Sequence, residues 1–277
     1  MKKISYDRII EKVSGMVMET AYSLPEEVSE HIRRAYAREK GLGKKCLGII
    51  LENLKTAEKE RLPICQDTGL AVFFVEMGAG VVIDTGRYAD IEEIINEGLK
   101  QGSRRGFLRK SVVSPVKRKN TGTNAPGVVH IVPGRKNELR IRLIAKGFGS
   151  ENTSRLAMLN PSAGRKGIEE FVMDTVRQAG SLPCPPVFVG VGIGGSFEKA
   201  AILSKMALCR MGEKSGNTVW EKDLLKKLNS LEIGPAGFGG RTTALGVRIE
   251  TFPTHIAGLP VAVNISCWAH RSGIITL

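Results

Sequence analysis

The sequence predicts an α+β fold, with a helical N-terminal region followed by mixed sheet packed with helices. Three observations predict it. Apolar residues recur at helical spacing through the first 60 residues. After Pro63 short apolar runs of strand character take over. Helical stretches then return between those runs without regular βαβ alternation.

Taken in order, Ile9, Ile10, Val13, Val17 and Tyr22 fall near a 3.6-residue period and predict a first helix. Ser23-Leu24-Pro25-Glu26-Glu27 reads as the start of a second, with Pro and acids in the first turn. A third is expected over 44–58, with Cys46, Ile49, Ile50 and Leu54 on its inner face. LAVFFVEM, 70–77, is strand-like and 88–100 helical, and 127–132 and 139–145 read as paired strands. Helix is expected at 167–178, 197–211 and 220–231, and strand at 186–191, 243–251 and 260–265. No repeat, low-complexity linker or break in composition divides the chain, so 1–277 is read as a single domain. It ends abruptly at Ile274-Ile275-Thr276-Leu277.

Composition narrows the class. Hydrophobic residues make up 42% and charged residues 25%, as in ordinary folded proteins, which argues against disorder. MKKISYDRII has a basic start but no apolar stretch behind it, and no run approaches the ~18 apolar residues of a membrane span. A soluble, cytoplasmic chain is expected. The formal charge is +13, and between Leu99 and Asn137 ten basic residues stand with no acidic one. Such a field attracts anions, whether nucleic acid, an acidic protein surface or a carboxylate substrate. Phe107 is the one aromatic there, few for stacking on bases.

The five cysteines are Cys46, Cys65, Cys184, Cys209 and Cys267, an odd and sparse set that fits a reducing compartment better than a disulfide framework. No CxxC pair suggests a zinc finger. Cys46 and Cys209 lie on helical stretches and read as core. The other three do not. Cys65 sits in ICQDTG, a loop entering a strand; Cys184 sits in LPCPP, where flanking prolines exclude helix; Cys267 follows a strand in NISCWAH. They offer one candidate metal centre, although 119 and 83 residues separate them and spacing alone leaves the matter open. Three is a meaningful number of thiolates: a cubane cluster usually takes four, so three would leave one iron open as a Lewis acid.

Gly190-x-Gly192-x-x-Gly195 follows an apolar run and precedes a helix, which raises a dinucleotide site. No acid ends a following strand about 20 residues on, since Glu213 lies in a polar loop signal, MGEKSGN. An anion-receptive turn is the other reading.

The stretches ICQDTGLAVFFVEMG, RKNTGTNAPGVVHIV, KGFGSENTSRLAMLNPSAG, LPCPPVFVGVGIGGSFEKAAILSKMAL and GPAGFGGRTTALGVRIETFPTHIAGLPVAVNISCWAHR cover nearly the whole chain. With them the sequence resembles class I fumarases and the related L-tartrate dehydratases, in their two-subunit form. The resemblance implies a [4Fe–4S] cluster held by Cys65, Cys184 and Cys267. It puts Gln66 and Asp67 against the substrate and its hydroxyl, with Asp67 and His255 as the catalytic pair. It makes Arg109, in LRKSV, the clamp on a substrate carboxylate, with Arg105 as the alternative, and Gly149 a backbone contact to substrate. Asp67 is open to a plainer reading as the cap of its own turn. Glu151 and Asn152 are candidates to support the Gly147–Gly149 loop. His270 and Arg271 either approach the cluster or face a partner, and His31 and His130 read as structural or exposed.

The expected activity is the reversible hydration of a C4 dicarboxylate, fumarate to malate, with L-tartrate dehydration as the alternative. In the family the base lies in a further domain, and this chain stops ten residues after Cys267. A separate β-subunit is therefore expected, in an αβ or α2β2 complex. Two readings from other classes stand beside this one: a basic nucleic-acid-binding module on 100–119, and a nicotinamide oxidoreductase on 190–195.

Overall fold

The computed structural model describes residues 1–213 and 217–277. In chain order these form β1 (Lys2–Ser5), α1 (Tyr6–Tyr22), α2 (Glu26–Arg38), α3 (Gly41–Glu60), β2 (Leu70–Met77), β3 (Val81–Asp84) and α4 (Ile91–Arg105). There follow β4 (Val128–Pro133), β5 (Leu139–Lys146), α5 (Phe148–Glu151), β6 (Arg155–Leu159), α6 (Gly164–Ala179) and β7 (Val187–Gly194). The last elements are α7 (Phe197–Cys209), α8 (Val219–Asn229), β8 (Ala244–Phe252), β9 (Leu259–Ser266) and β10 (Ser272–Thr276). This is the expected α+β class. The polar signal at 211–217 falls partly outside the described residues. Among the described residues no helix is long and apolar enough to cross a membrane.

Two compact units emerge: residues 1–25, 54–146 and 271–277, and residues 26–53 and 147–270. In the first, a four-stranded sheet has the order β10-β5-β2-β4. The strands expected to pair, β4 and β5, are not neighbours: β2 lies between them, parallel to β4 and antiparallel to β5. Phe73 and Val75 are sealed on β2, whereas β4 is an edge strand with Val128, Ile131 and Pro133 exposed and none of its residues buried. The more apolar run takes the centre because a central strand is covered along its length. The chain end, read as an abrupt stop, is β10, antiparallel to β5. Helices α1 and α4 cross closely: a Cβ on Gly98 would lie 2.8 Å from Val13, and one on Gly102 2.7 Å from the Ser14 carbonyl.

The second unit is built on a sheet ordered β6-β9-β7-β8. Residues alternate across β7. Val187, Val189, Val191 and Ile193 face a core shared with Ile168, Val172 and Val176 of α6 and Leu224 and Leu228 of α8. Each such burial is worth about 1.5–3 kcal/mol. Gly190 and Gly192 fall on the other face, where α7 lies directly against the strand. A Cβ there would come within 2.2 Å of the Ser204 carbonyl or 2.1 Å of the Ala200 carbonyl. The first two glycines of the supposed dinucleotide motif therefore sit inside a strand as packing positions. Gly194 and Gly195, at φ +91° and +70°, make the turn that follows.

On α3 the buried stripe is Gly43, Leu47, Ile50 and Ala57, with Leu54 half-buried. Ile49 is 67% exposed and Cys46 only half-buried, so the expected inner face was rotated by about one residue. The spacing of 43, 47, 50, 54 and 57 alternates four and three residues, which is one face of a helix. Cys209 is buried, as expected.

Glu169 ties α6 to α8, accepting hydrogen bonds from Arg165 Nε (2.8 Å), Trp220 Nε1 (2.8 Å) and Lys227 Nζ (2.5 Å). Burial pushes its carboxyl up, but the bonds from Lys227, Arg165 and Trp220 outweigh that and hold it below the ordinary carboxylate value. A group depressed in the folded state stabilises fully above its unfolded pKa, about 4.3, and loses that contribution as pH falls through the folded value. Glu169→Gln is therefore expected to lower the melting temperature at pH 7 and to change it much less near pH 3. Equal losses at both pH values would contradict this.

Candidate active site

In the first unit the loop after α3 carries Cys65, Gln66 and Asp67. Ile64, buried just before them, donates its N–H to the Ala21 carbonyl at 2.9 Å, which ties the loop to the end of α1. Cys65 and Asp67 are half-buried and Gln66 is exposed. Asp67 Oδ1 accepts the N–H of Gly69 at 2.9 Å, so the turn-capping reading of Asp67 is realised, and it fixes the carboxylate's orientation. Gly69 has φ +79°, and a Cβ on it would stand 2.9 Å from the Lys146 carbonyl, so only glycine fits where the loop meets the end of β5.

Arg109 and Arg105 occupy different settings. Arg105 is the last residue of α4, while Arg109 lies beyond it in a loop and is exposed. The Arg109 carbonyl accepts the Thr68 hydroxyl at 2.6 Å, so its main chain is bonded to the residue after Asp67. All ten basic residues of the 100–136 stretch are exposed, and Phe107, 92% exposed, remains the one aromatic among them.

In the second unit Cys184 stands between buried Pro183 and Pro185 with its own residue exposed. Its φ is +53°, in the left-handed region, and its N–H bonds the Ser181 carbonyl at 3.1 Å. Non-glycine residues adopt this region infrequently, and the prolines on either side restrict the backbone around it. Cys267 is half-buried, one residue past β9. His270 and Arg271 are 0% and 2% exposed. Of the two readings, approach to a cluster or contact with a partner, the burial of both side chains does not fit the second. Within its unit His270 Nδ1 lies 3.0 Å from Ser266 Oγ, and its ring packs 5.4 Å from Phe188.

Gly149 is exposed within the single turn of α5. The following Glu151 bonds back to the loop through its N–H, to the Gly147 carbonyl at 3.1 Å. Its carboxylate instead accepts Lys205 Nζ of α7 and Asn264 Nδ2 of β9, the latter at 3.2 Å. So α5 is pinned to the helix and strand beside it. His255 is exposed in the loop between β8 and β9. Its Nδ1 accepts the Ala257 N–H at 3.2 Å, which leaves Nε2 to carry the proton of the neutral ring. The loop is anchored to the glycine turn after β7: Thr254 Oγ1 donates to the Gly195 carbonyl at 2.8 Å, and the Gly195 N–H to the Pro253 carbonyl at 3.2 Å.

Among the described residues there is no disulfide, and no three His, Cys, Asp or Glu side chains are gathered into a metal site. Cys65 belongs to the first unit, Cys184 and Cys267 to the second. Each is on non-helical backbone, and none is fully buried.

The fumarate hydratase (fumerase) family matches residues 10–276. The chain belongs to that family. Its reaction class is accordingly that of a hydro-lyase. A Methanocaldococcus jannaschii protein, provisionally named L(+)-tartrate dehydratase subunit alpha, is 41% identical over 277 residues, 96% of each chain. The L(+)-tartrate dehydratase subunit alpha of Escherichia coli K12 is 30% identical over 99% of this chain and 92% of its own length. The protein of the same name from Shigella boydii has the same identity and coverage.

For this fumerase-family chain, the residues that sequence reasoning missed are the supports: Thr68, Lys205, Thr254 and Asn264. Lys205 and Asn264 stand 54 and 113 residues from Glu151, and Thr254 stands 59 from Gly195. No local pattern marks such partners.

Proposed function

We propose that this chain is the α-subunit of an iron–sulfur hydro-lyase that reversibly hydrates a C4 dicarboxylate, fumarate to malate, with a separate β-subunit. The observation that carries the reading is the family match over 10–276, which spans all three cysteine loops and the Arg109 and His255 segments. The subunit-alpha names of the relatives support the partner. The sparse thiols and the lack of a membrane-length helix among the described residues fit a cytoplasmic enzyme.

Cys65, Cys184 and Cys267 would hold a [4Fe–4S] cluster. Three thiols outside helices and outside disulfides suit it as donors. When bound, such a cluster supplies an open iron that acts as a Lewis acid toward the substrate hydroxyl and carboxylate. The chain's own residues then divide the work. Arg109 clamps a carboxylate by bidentate hydrogen bonding. Gln66 and the Gly149 main chain bind substrate, and Asp67, oriented through Gly69, attends the hydroxyl. His255 presents the Nε2 proton as a donor. The proton on the neighbouring carbon is removed by a base from the β-subunit, so that dehydration breaks one C–H and one C–O bond and yields the alkene and water.

Dehydration of L-tartrate is the second reading, favoured by the names of the relatives at 41% and 30% identity. One anaerobic preparation with the β-subunit tests both. Iron, sulfide and a visible absorption band are expected, with turnover of L-malate and fumarate or of L-tartrate. Full turnover by this chain alone would rule out the partner, and turnover of neither substrate by an iron-loaded complex would rule out the substrate class.

A further inference from the structure

The stretch NTGTNAP contains a side chain that the reading above leaves without a task. Asn124 is 2% exposed. Its Nδ2 donates to the Arg109 carbonyl at 3.1 Å, and its Oδ1 accepts the Ser111 N–H at 2.6 Å. One buried amide therefore brackets the main chain on both sides of Lys110. The Arg109 carbonyl also accepts the Thr68 hydroxyl at 2.6 Å, so these two donors engage it at once. Asn124 has φ +62°, a conformation that asparagine tolerates better than most residues. Thr68 is fixed in turn, because Asp67 caps the turn at Gly69 and Gly69 is lodged against the end of β5.

We propose that Thr68 and Asn124 are positioning residues that lock the main chain of Arg109 at a set distance from Asp67. A guanidinium on a loop that long would otherwise sample many backbone states, and binding a carboxylate would have to freeze them. With the carbonyl held from two sides, only the side-chain rotamers of Arg109 remain to be ordered. The carboxylate clamp and the group at the hydroxyl then meet one small dicarboxylate as a preformed pair. The lock acts on binding rather than on bond breaking. The inference rests on the assignment of Arg109 and Asp67 to substrate.

The test uses the complex with the β-subunit, purified anaerobically, in four variants: Thr68→Val, Thr68→Ser, Asn124→Gly and Arg109→Lys. Glycine at 124 keeps the left-handed backbone while removing both side-chain bonds. Thr68→Val and Asn124→Gly are expected to raise KM for the turned-over dicarboxylate by about 5- to 10-fold, since each loses one hydrogen bond to the Arg109 carbonyl and Asn124→Gly also loses the bond from the Ser111 N–H. Iron content should be unchanged and kcat within about twofold, while Thr68→Ser restores KM. If Arg109→Lys raises KM but Thr68→Val and Asn124→Gly do not, the lock is wrong and the Arg109 assignment stands. If Arg109→Lys itself leaves KM unchanged, the assignment fails and the lock with it. Losses of kcat and iron together, without a KM change, would also overturn it. Should Asn124→Gly not assemble, the Thr68→Val and Thr68→Ser pair decides.

Discussion

Replacing Cys184 by serine is expected to abolish turnover, by about 1000-fold or more, and to remove most of the iron from the anaerobic complex. A Lewis-acid metal contributes several kcal/mol to such a reaction, and each 1.36 kcal/mol is tenfold in rate. The backbone argument makes this substitution diagnostic. Cys184 is exposed, yet it is held at φ +53° between two buried prolines. Serine has the same branching and nearly the same size, so the backbone has no reason to move. What is lost is a thiolate, the ligand type that iron–sulfur clusters require. Cys65→Ser and Cys267→Ser should behave alike. Cys209→Ser is the control: Cys209 is buried on α7, so an added hydroxyl costs about 1–2 kcal/mol of stability but leaves the iron in place. Cys46→Ser, half-buried on α3, should cost less. A Cys184→Ser complex with normal iron and normal turnover would remove Cys184 from the ligand set.

The same contrast separates what was legible in the sequence from what was not. LAVFFVEM coincides with β2 because a run that apolar can only be satisfied at the centre of a sheet. The strands β1, β3, β6 and β10 were missed. They are four or five residues long, and RLAML or SGIIT becomes a strand only when β9 or β5 offers its edge. Periodicity placed helix α3 but chose the wrong stripe, since Leu47 and Ile49 are equally apolar and the neighbouring elements decide which is covered. The candidate site divides similarly. CQDTG, LPCPP and ISCWAH are contiguous motifs, so their cysteines could be named from the sequence. Asn124, Lys205 and Thr254 act through partners 15, 54 and 59 residues away, and their roles exist only in the folded chain.

Gly192 shows how one pattern supports two readings and how the choice can be measured. As part of a dinucleotide loop, Gly192 would let a pyrophosphate approach, and alanine there would weaken cofactor binding more than folding. In the fold it lies inside β7, where a Cβ would stand 2.1 Å from the Ala200 carbonyl, 2.5 Å from the Ser204 N and 2.9 Å from Leu203 Cβ. The first two contacts are backbone atoms of α7, which cannot rotate away as a side chain could. The helix would have to lift off the strand, taking Leu203 and Leu208 from their buried places. Overpacking of this kind costs about 3 kcal/mol at the high end of its usual range. For a unit of this size that corresponds to a fall of about 6–12 °C in melting temperature. Gly192→Ala is therefore expected to lower the melting temperature of the chain by that amount, and no nicotinamide nucleotide should bind the parent protein. A Gly192→Ala chain that melts normally, in a parent that binds such a nucleotide, would return the motif to its dinucleotide reading. Gly190→Ala, with its Cβ 2.2 Å from the Ser204 carbonyl, should give the same result one turn further along α7, because strand and helix are held together by both glycines.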